Sequence, residues 1–219
     1  MKNTTVRIIL LSAFLTFPFA SSAAEDSQSK TYFSVGMVNM TDKWLDPLKG
    51  TGVTIKDSSA LGSLTVGYKV SPNLALEAGI ITGGETSANL AGGESGTLYG
   101  KSYSISGALK LAAKSEASYL FGLKYYAESE PFSIHATGGM LFWDIDYIVS
   151  ASGTLTYDGT TYSESGSSTF LSVDGSDPYI GIGVSYLLKN NSSINLNFIA
   201  TEMNNSDNTG VSVFWTNNF

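Results

Sequence analysis

A serine and the only histidine of the chain stand two residues apart, at Ser133 and His135. Residues at this spacing in an extended strand point to the same face. A Ser/His pair is common in hydrolytic sites, but such a site also needs an orienting acid and an oxyanion hole. The sequence identifies neither group. We therefore predict no catalytic residue and no enzyme activity, and interpret the pair as polar groups inside the protein.

Three charged residues form a second set of candidates: Lys69, Glu77 and Lys124. Each falls on the polar side of a segment in which polar and apolar residues alternate. A charge inside a narrow, apolar protein interior needs a partner, because an unpaired one costs several kcal/mol. A hairpin turning at Pro72 places Glu77 opposite Gly67 and diagonal to Lys69. We predict a polar network centred on Glu77 that closes the interior, and the alternative is a charged constriction in a small pore.

The composition excludes several other classes of site. Residues 1–24 hold Lys2 and Arg7 among 12 basic residues and none of the 19 acidic ones, so the rest of the chain carries 10 − 19 = −9. Arg7 is the only arginine, which argues against nucleic-acid binding. The spacing of the aspartates matches no calcium loop, and no glycine-rich loop for phosphate appears. We predict no metal and no cofactor.

The first 24 residues have the layout of a secretory signal peptide. Lys2 and Arg7 precede an apolar stretch over 8–19, and small residues up to Ala24 favour cleavage there. We therefore predict a signal peptide over 1–24 and one domain over 25–219. The chain has no cysteine, so an exported domain must be stabilised by burial and strand pairing rather than by disulfides.

Alternation with a period of two over segments of about ten residues predicts the elements that position these groups. Turn residues separate the segments, and the connections alternate between short (71–73, 128–131, 189–192) and mostly long (42–60, 82–116, 150–177, with a brief one at 203–209). This pattern predicts an all-β, eight-stranded antiparallel up-and-down transmembrane β-barrel with short periplasmic turns and long extracellular loops. The alternative is a soluble barrel whose apolar face surrounds a ligand. The predicted strands are 31–41, 61–70, 74–81, 117–127, 132–149, 178–188, 193–202 and 210–219.

The small polar side chains opposite the apolar face favour the membrane barrel over the soluble one. Glycine, serine, threonine and asparagine fit the interior of a narrow barrel better than a solvated exterior. Tyrosines and Trp143 fall near the predicted strand ends, where we expect the aromatic girdles of a membrane barrel. In the interior, Leu120 and Tyr126 favour a closed lumen, whereas the many glycines would leave room for water.

Surface recognition is predicted in the long loops. Asp158-Gly159 between alternating residues predicts a type I′ hairpin, and Tyr157 and Tyr162 flank it as candidate recognition residues. Residues 97–113 also alternate, and the sequence leaves open whether they form a barrel strand or an extracellular hairpin. A plain hydrophilic cover is the alternative to partner binding.

The end of the chain, V-S-V-F-W-T-N-N-F, resembles the C-terminal signature of bacterial outer-membrane proteins. Val211, Val213, Trp215 and the terminal Phe219 match the alternating apolar positions, and Asn217 departs from them. The stretch from Gly67 to Gly79 resembles the second and third strands of small OmpA/OmpX-type barrels. In layout the resemblance covers nearly all of residues 25–219.

This resemblance implies a location and partners. The location is the outer membrane of a Gram-negative bacterium, with outer-membrane lipid and lipopolysaccharide around the barrel. The terminal residues would be recognised by the barrel-assembly machinery, and the loops would meet a host or surface ligand. The implied function is non-enzymatic display of extracellular loops for adhesion, colonisation or envelope protection. A small porin-like channel for ions or solutes is the alternative. A lipid-modifying enzyme of the outer membrane is a distant third.

Overall fold

The computed structural model describes residues 30–188 and 191–219, so the predicted signal peptide lies outside the described residues. Apart from one short 3₁₀ helix, Asp46–Leu48, the regular elements are antiparallel strands. Within the described part of the chain, no helix is long and apolar enough to cross a membrane. The strands are β1 Thr31–Asp42, β2 Thr54–Lys56, β3 Ser58–Ser71, β4 Leu74–Thr82, β5 Glu85–Leu98, β6 Lys101–Lys114, β7 Ala117–Ser129, β8 Phe132–Tyr157, β9 Thr160–Leu187, β10 Ser192–Met203 and β11 Ser206–Asn218.

Eight of these strands close into a ring in the order β1-β3-β4-β7-β8-β9-β10-β11, and β11 pairs again with β1. Val35 of β1 lies opposite Leu64 of β3 on one side and Trp215 of β11 on the other. The eight strands predicted from alternation are the eight strands of this ring. The fold is therefore an eight-stranded antiparallel up-and-down barrel, as predicted.

The exterior of the ring is apolar, as a barrel in lipid requires, and many of the residues on its inner face are polar. Alternate residues of the ring strands point outward and are mostly exposed or half-buried, whereas most of the residues between them are buried or half-buried. One outward residue from each ring strand is, in chain order, Val35, Leu64, Leu76, Leu123, Ile134, Ile182, Leu196 and Val213. Their inward neighbours include Ser34, Thr65, Ala75, Lys124, His135, Ser185, Asn195 and Ser212.

The extracellular half of the lumen is packed with apolar side chains, which the sequence prediction missed. Val38, Leu61, Ile81, Leu141 and Trp143 belong to one buried cluster there. Trp143 was predicted in an aromatic girdle, and that prediction is wrong. Its ring lies inside the barrel, where its Nε1 donates to Asp177 Oδ2 at 2.7 Å. The alternation of β8 puts odd-numbered residues inside, so the parity of position 143 decides its side.

The three remaining strands extend the barrel wall above the membrane. β8 and β9 continue past the ring to a turn at Asp158-Gly159, whose φ angles of 50° and 78° fit the predicted type I′ turn. β6 pairs with β8 over 103–114, β5 pairs with β6, and β2 pairs with β5. We call β2, β5, β6 and residues 146–172 of β8 and β9 the extracellular sheet. Residues 97–113 thus belong to an extracellular hairpin, and the predicted loops 82–116 and 150–177 are mostly strand.

Candidate functional site: the barrel lumen and the extracellular sheet

An ion pair between β4 and β7 occupies the lumen. Glu77 lies opposite Gly122, and Lys124 lies opposite Ala75, so the two side chains are diagonal neighbours on the inner face. Lys124 Nζ is 3.5 Å from Glu77 Oε1, and each side chain is only 8% exposed. Tyr32 of β1 donates its hydroxyl to the same Oε1 at 2.7 Å. A buried carboxylate with two donors has the compensation that burial of a charge requires.

Lys69, the third predicted member, lies farther toward the periplasmic end and is half-buried. It faces Ala75 across the β3–β4 ladder, next to the bulge between Lys69 and Ser71. Its Nζ is 6.0 Å from the centre of the Tyr126 ring, and Lys124 Nζ is 5.3 Å from the same ring. The structure therefore joins Lys69 to the group through the Tyr126 face rather than through an ion pair with Glu77. The sequence did not identify Tyr32 as a member of this network.

His135 does not pair with Ser133. Its Nδ1 lies 3.1 Å from Ser185 Oγ and its Nε2 lies 2.5 Å from Asn197 Oδ1, on strands β9 and β10. Residues i and i+2 of one strand are about 6.6 Å apart, whereas a neighbouring strand is about 4.8 Å away, so a cross-strand partner is closer. The interpretation of Ser133 and His135 as a pair is therefore wrong.

Ser185 is also poorly placed as a nucleophile. Its hydroxyl donates to Asn195 Oδ1, so its proton is directed away from His135. His135 is 2% exposed and lies buried in the lumen. A nucleophile must pass its proton to the neighbouring base and must reach a substrate. The group of Ser185, His135 and Asn197 is a structural polar cluster on this geometry.

Glycines on the inner face make room for these large side chains. A Cβ at Gly67 would overlap the Tyr32 ring, and a Cβ at Gly183 would overlap both His135 and Asn197. These two glycines therefore make space that large side chains of neighbouring strands occupy. A cavity of about 50 Å³ remains beside Glu77 and Lys124, which is about a third of the volume of an engineered cavity that holds benzene.

The extracellular sheet has one apolar and one polar face. Leu90 lies opposite Leu109, Ile105 opposite Leu155, and Leu155 opposite Tyr162. Opposite residues of an antiparallel pair share a face, so these side chains form one apolar face, which is largely exposed. The other face carries serines and threonines whose hydroxyls bond across the strands, in the pairs Ser150–Ser167, Thr154–Ser163 and Thr156–Thr161.

The hairpin tip holds the predicted recognition residues. Tyr157 is half-buried and lies opposite Tyr103 and Thr160 on the apolar face. Asp158 pairs with Lys101, which fixes the tip of β8–β9 to the tip of β5–β6. Tyr162 is exposed. The tip therefore presents the Tyr162 ring on a hairpin that the Lys101–Asp158 pair holds to its neighbour.

One edge of the extracellular sheet is open. β9 pairs with β10 only from Tyr179 to Leu187, and its other edge pairs with β8 along the whole strand. Among the described residues, no strand pairs with the outer edge of β9 between residues 160 and 178. An exposed strand edge offers unpaired N–H and C=O groups to another chain.

The predicted assembly residues follow the outer face of β11 from its middle to the end of the chain. Val211, Val213 and Trp215 point outward and are exposed, and the Phe219 ring stacks on Phe33 with centroids 5.5 Å apart. Trp215 contacts the same Phe33 ring edge-on at 5.3 Å. This aromatic group stands at the periplasmic end of the outer surface, where an aromatic girdle is expected.

No group of histidine, cysteine or acidic side chains within the described ranges is arranged to hold a metal ion.

No protein-family model matches the chain, and no curated protein matches it. Several solved structures are similar in fold. The attachment invasion locus protein Ail of Yersinia pestis is 12% identical, with 88% of this chain and 99% of Ail covered and a TM-score of 0.40.

Two Pseudomonas aeruginosa proteins are similar as well. The outer membrane protein OprG is 14% identical, with coverage of 86% and 92% and a TM-score of 0.45. The N-terminal β-barrel domain of OprF is 9% identical, with coverage of 86% and 99% and a TM-score of 0.41. All three are outer-membrane β-barrels, and all three TM-scores are below 0.5. The closed ring of eight strands, with its apolar exterior, is what defines the fold.

Proposed function

We propose that this protein is a non-enzymatic outer-membrane β-barrel of a Gram-negative bacterium whose closed barrel holds the extracellular sheet at the cell surface for binding. The binding serves adhesion, colonisation or envelope protection. The observation that carries the proposal is the contrast between a filled lumen and an exposed sheet with an apolar face and an open edge. If the lumen does not conduct, the extracellular sheet is the part of the protein that can bind a ligand.

Several features support the anchoring role. The outward apolar residues of the eight ring strands fit contact with outer-membrane lipid and lipopolysaccharide. Val211, Val213, Trp215 and Phe219 present the terminal signature that the barrel-assembly machinery would recognise. The arrangement around His135 supports a structural role for that residue and no enzyme activity.

The sheet favours a protein or peptide ligand. An extended segment can add to the outer edge of β9 through main-chain hydrogen bonds, and its side chains can meet the apolar face beside Tyr162. Tyrosine provides large contact area at a low cost in conformational entropy. Tyr157, Asp158, Gly159 and Tyr162 form the tip of this surface, because the turn fixes the position of both tyrosines.

The test combines conductance with adhesion. Residues 25–219 are refolded with and without residues 154–163, and folding is checked by heat-modifiable gel mobility. We expect no steady single-channel openings from either protein in a planar bilayer. Cells that display the full protein should adhere to cultured epithelial cells more than cells that display the shortened one. Equal adhesion by both strains would contradict the binding role.

A small channel for ions or solutes is the second candidate. Two cavities, of about 70 Å³ and about 50 Å³, lie in the extracellular and middle parts of the lumen. If they join through water, steady openings would appear with both proteins, and the Glu77→Ala variant would change the ion selectivity. That result would replace the closed anchor with the channel.

A further inference from the structure

A half-enclosed cavity of about 70 Å³ lies at the extracellular end of the lumen, outside the Glu77 network. We call it the vestibule. Its walls are mostly apolar and come from seven ring strands and from β5 and β6, so a ligand there would bury aliphatic surface. The apolar wall residues include Met40, Leu61, Ile81, Leu141, Ile145 and Met203.

One end of the vestibule carries an unsatisfied acceptor. Asn208 is 1% exposed, and its Nδ2 donates to the backbone oxygen of Ser206 at 2.8 Å. This bond fixes the orientation of the amide, because only the nitrogen can donate. Its Oδ1 is buried and has no hydrogen-bond partner. Buried polar atoms in folded proteins nearly always have a partner, so this oxygen calls for a donor from outside the chain.

The cross-strand neighbour of Asn208 is an acceptor as well. Asp42 is its direct cross-strand neighbour on β1 and accepts bonds from Ser206 Oγ at 2.8 Å and from Trp44 N at 3.1 Å. Burial raises the pKa of Asp42 above its ordinary value, since these bonds compensate its charge only in part. Glu85 also lines the vestibule and is already paired with Lys110. The polar end therefore combines a neutral acceptor and a carboxylate.

We propose that the vestibule binds a small organic ammonium ion with a short aliphatic chain. The ammonium group has three donors and no acceptor, so it matches Asn208 Oδ1 and the Asp42 carboxylate together. The aliphatic part lies among Leu61, Ile81 and Leu141. An engineered cavity of about 150 Å³ holds benzene, so about 70 Å³ suits a chain of about three carbons.

The test is an NMR titration of the refolded mature chain, residues 25–219, in detergent micelles. n-Propylammonium chloride is the probe, and sodium chloride at the same ionic strength is the blank. We expect a saturable shift of the Asn208 side-chain amide and of the Ala113 backbone amide, with a Kd on the order of millimolar for a ligand of about four heavy atoms. 1-Propanol should bind more weakly, and propionate should not bind.

Two variants and one matched control separate the site from partitioning into the micelle. Asp42→Asn and Asn208→Leu should each raise the Kd at least tenfold. Asp42→Asn decides the test if Asn208→Leu fails to fold. The control is Asp207→Asn, which also removes one negative charge. Asp207 is the chain neighbour of Asn208, and its side chain is 73% exposed and paired with Lys43. It should leave the Kd within twofold.

Four results would overturn the proposal. The first is a shift that does not saturate. The second is equal binding of propionate or 1-propanol. The third is a Kd that the control raises as much as Asp42→Asn does. Exchange peaks from bound water at Asn208, with no effect of the amine, would show that the oxygen is satisfied by water and would also overturn it.

Discussion

The lumen and the extracellular sheet share the strands β8 and β9, yet the two regions bury their side chains very differently. Within the ring, the inward residues of β8 are enclosed, and His135 and Leu141 are 2% and 5% exposed. Above the ring the same face of β8 continues through Leu155, which lies in the open with Leu109, itself 47% exposed. Alternation therefore assigns a residue to a face, but closure of the sheet decides whether that face is buried.

The two regions also differ at their edges. Every ring strand has a partner on both sides, as lipid requires, because nothing in a bilayer core can bond to a free N–H or C=O. The upper part of β9 has one partner only, which water tolerates. Side chains in the lumen should therefore control stability, and those on the sheet should control binding. Four comparisons between variants test this contrast through the stability of the folded protein.

The largest effect is expected at the ion pair. Glu77→Ala leaves Lys124 buried without its carboxylate and removes the acceptor of the Tyr32 hydroxyl, so the free energy of unfolding should fall by about 3–5 kcal/mol. Urea unfolding monitored by tryptophan fluorescence measures it. The double variant Glu77→Ala/Lys124→Ala should lose less than the single one, because it leaves no orphaned charge.

Glu164→Ala is the matched control on the extracellular sheet. Its side chain is exposed, so the same truncation should change the free energy of unfolding by less than about 0.5 kcal/mol. An unfolding curve for Glu77→Ala that superimposes on that of the control would show that the lumen network does not stabilise the barrel.

A leucine in each region gives the second comparison. Leu141→Ala removes a buried side chain from the apolar cluster of the upper lumen and should cost about 2–5 kcal/mol. Leu109→Ala removes a half-exposed side chain from the sheet and should cost less than about 1 kcal/mol. The same urea titration measures both. Equal losses would mean that the apolar face of the sheet is covered in the folded protein.

A glycine in each region gives the third. Gly67→Ala introduces a Cβ that overlaps the Tyr32 ring, and crowding of this kind costs about 1–3 kcal/mol. Gly166→Ala, on β9 of the sheet, meets no atom within 4 Å, and we expect a change below about 0.5 kcal/mol. Differential melting on heat-modifiable gels measures the two. A Gly67→Ala protein as stable as Gly166→Ala would show that the Tyr32 ring can move aside to admit the added methyl group.

The smallest effect is expected at the rim, where Asp42 lies between the two regions. Burial raises its pKa above 3.8 in the folded state, so the folded protein binds more protons than the unfolded one just above this pH. The free energy of unfolding should therefore fall as the pH rises from 3.8 through the folded pKa, by about 1.4 kcal/mol for each tenfold difference between the acid dissociation constants of the two states. The Asp42→Asn variant should lack this part of the pH profile. Parallel profiles for the two proteins would contradict the assignment.

Much of the candidate site could be predicted from single residues. The side of the wall on which Glu77 and Lys124 lie follows from alternation, and the Asp158-Gly159 turn follows from the residue types that tolerate positive φ. The partners could not be predicted in the same way. Tyr32 reaches Glu77 across 45 positions in the chain, and Asn197 reaches His135 across 62. These contacts depend on which strands are neighbours and in what register.

The extracellular sheet shows the same limit. The alternation of residues 97–113 is as regular as that of a ring strand, and the sequence could not say which it was. β6 is excluded from the ring because β7, not β6, continues along the membrane-spanning part of β8, while β6 pairs with β8 above it. Since both pairings use the same kind of backbone hydrogen bond, no local pattern distinguishes them.

The sequence by itself determined the eight ring strands, the positions of their short turns and the face of each side chain, because a period of two is a property of neighbouring residues. Only the tertiary structure decided which large side chains meet inside the lumen, that β2, β5 and β6 extend one wall, and that Asn208 Oδ1 is buried beside the vestibule with no hydrogen-bond partner. Those features arise when strands distant in the chain meet at a fixed register. Closure then buries one part of a continuous face and leaves the rest of it open to solvent.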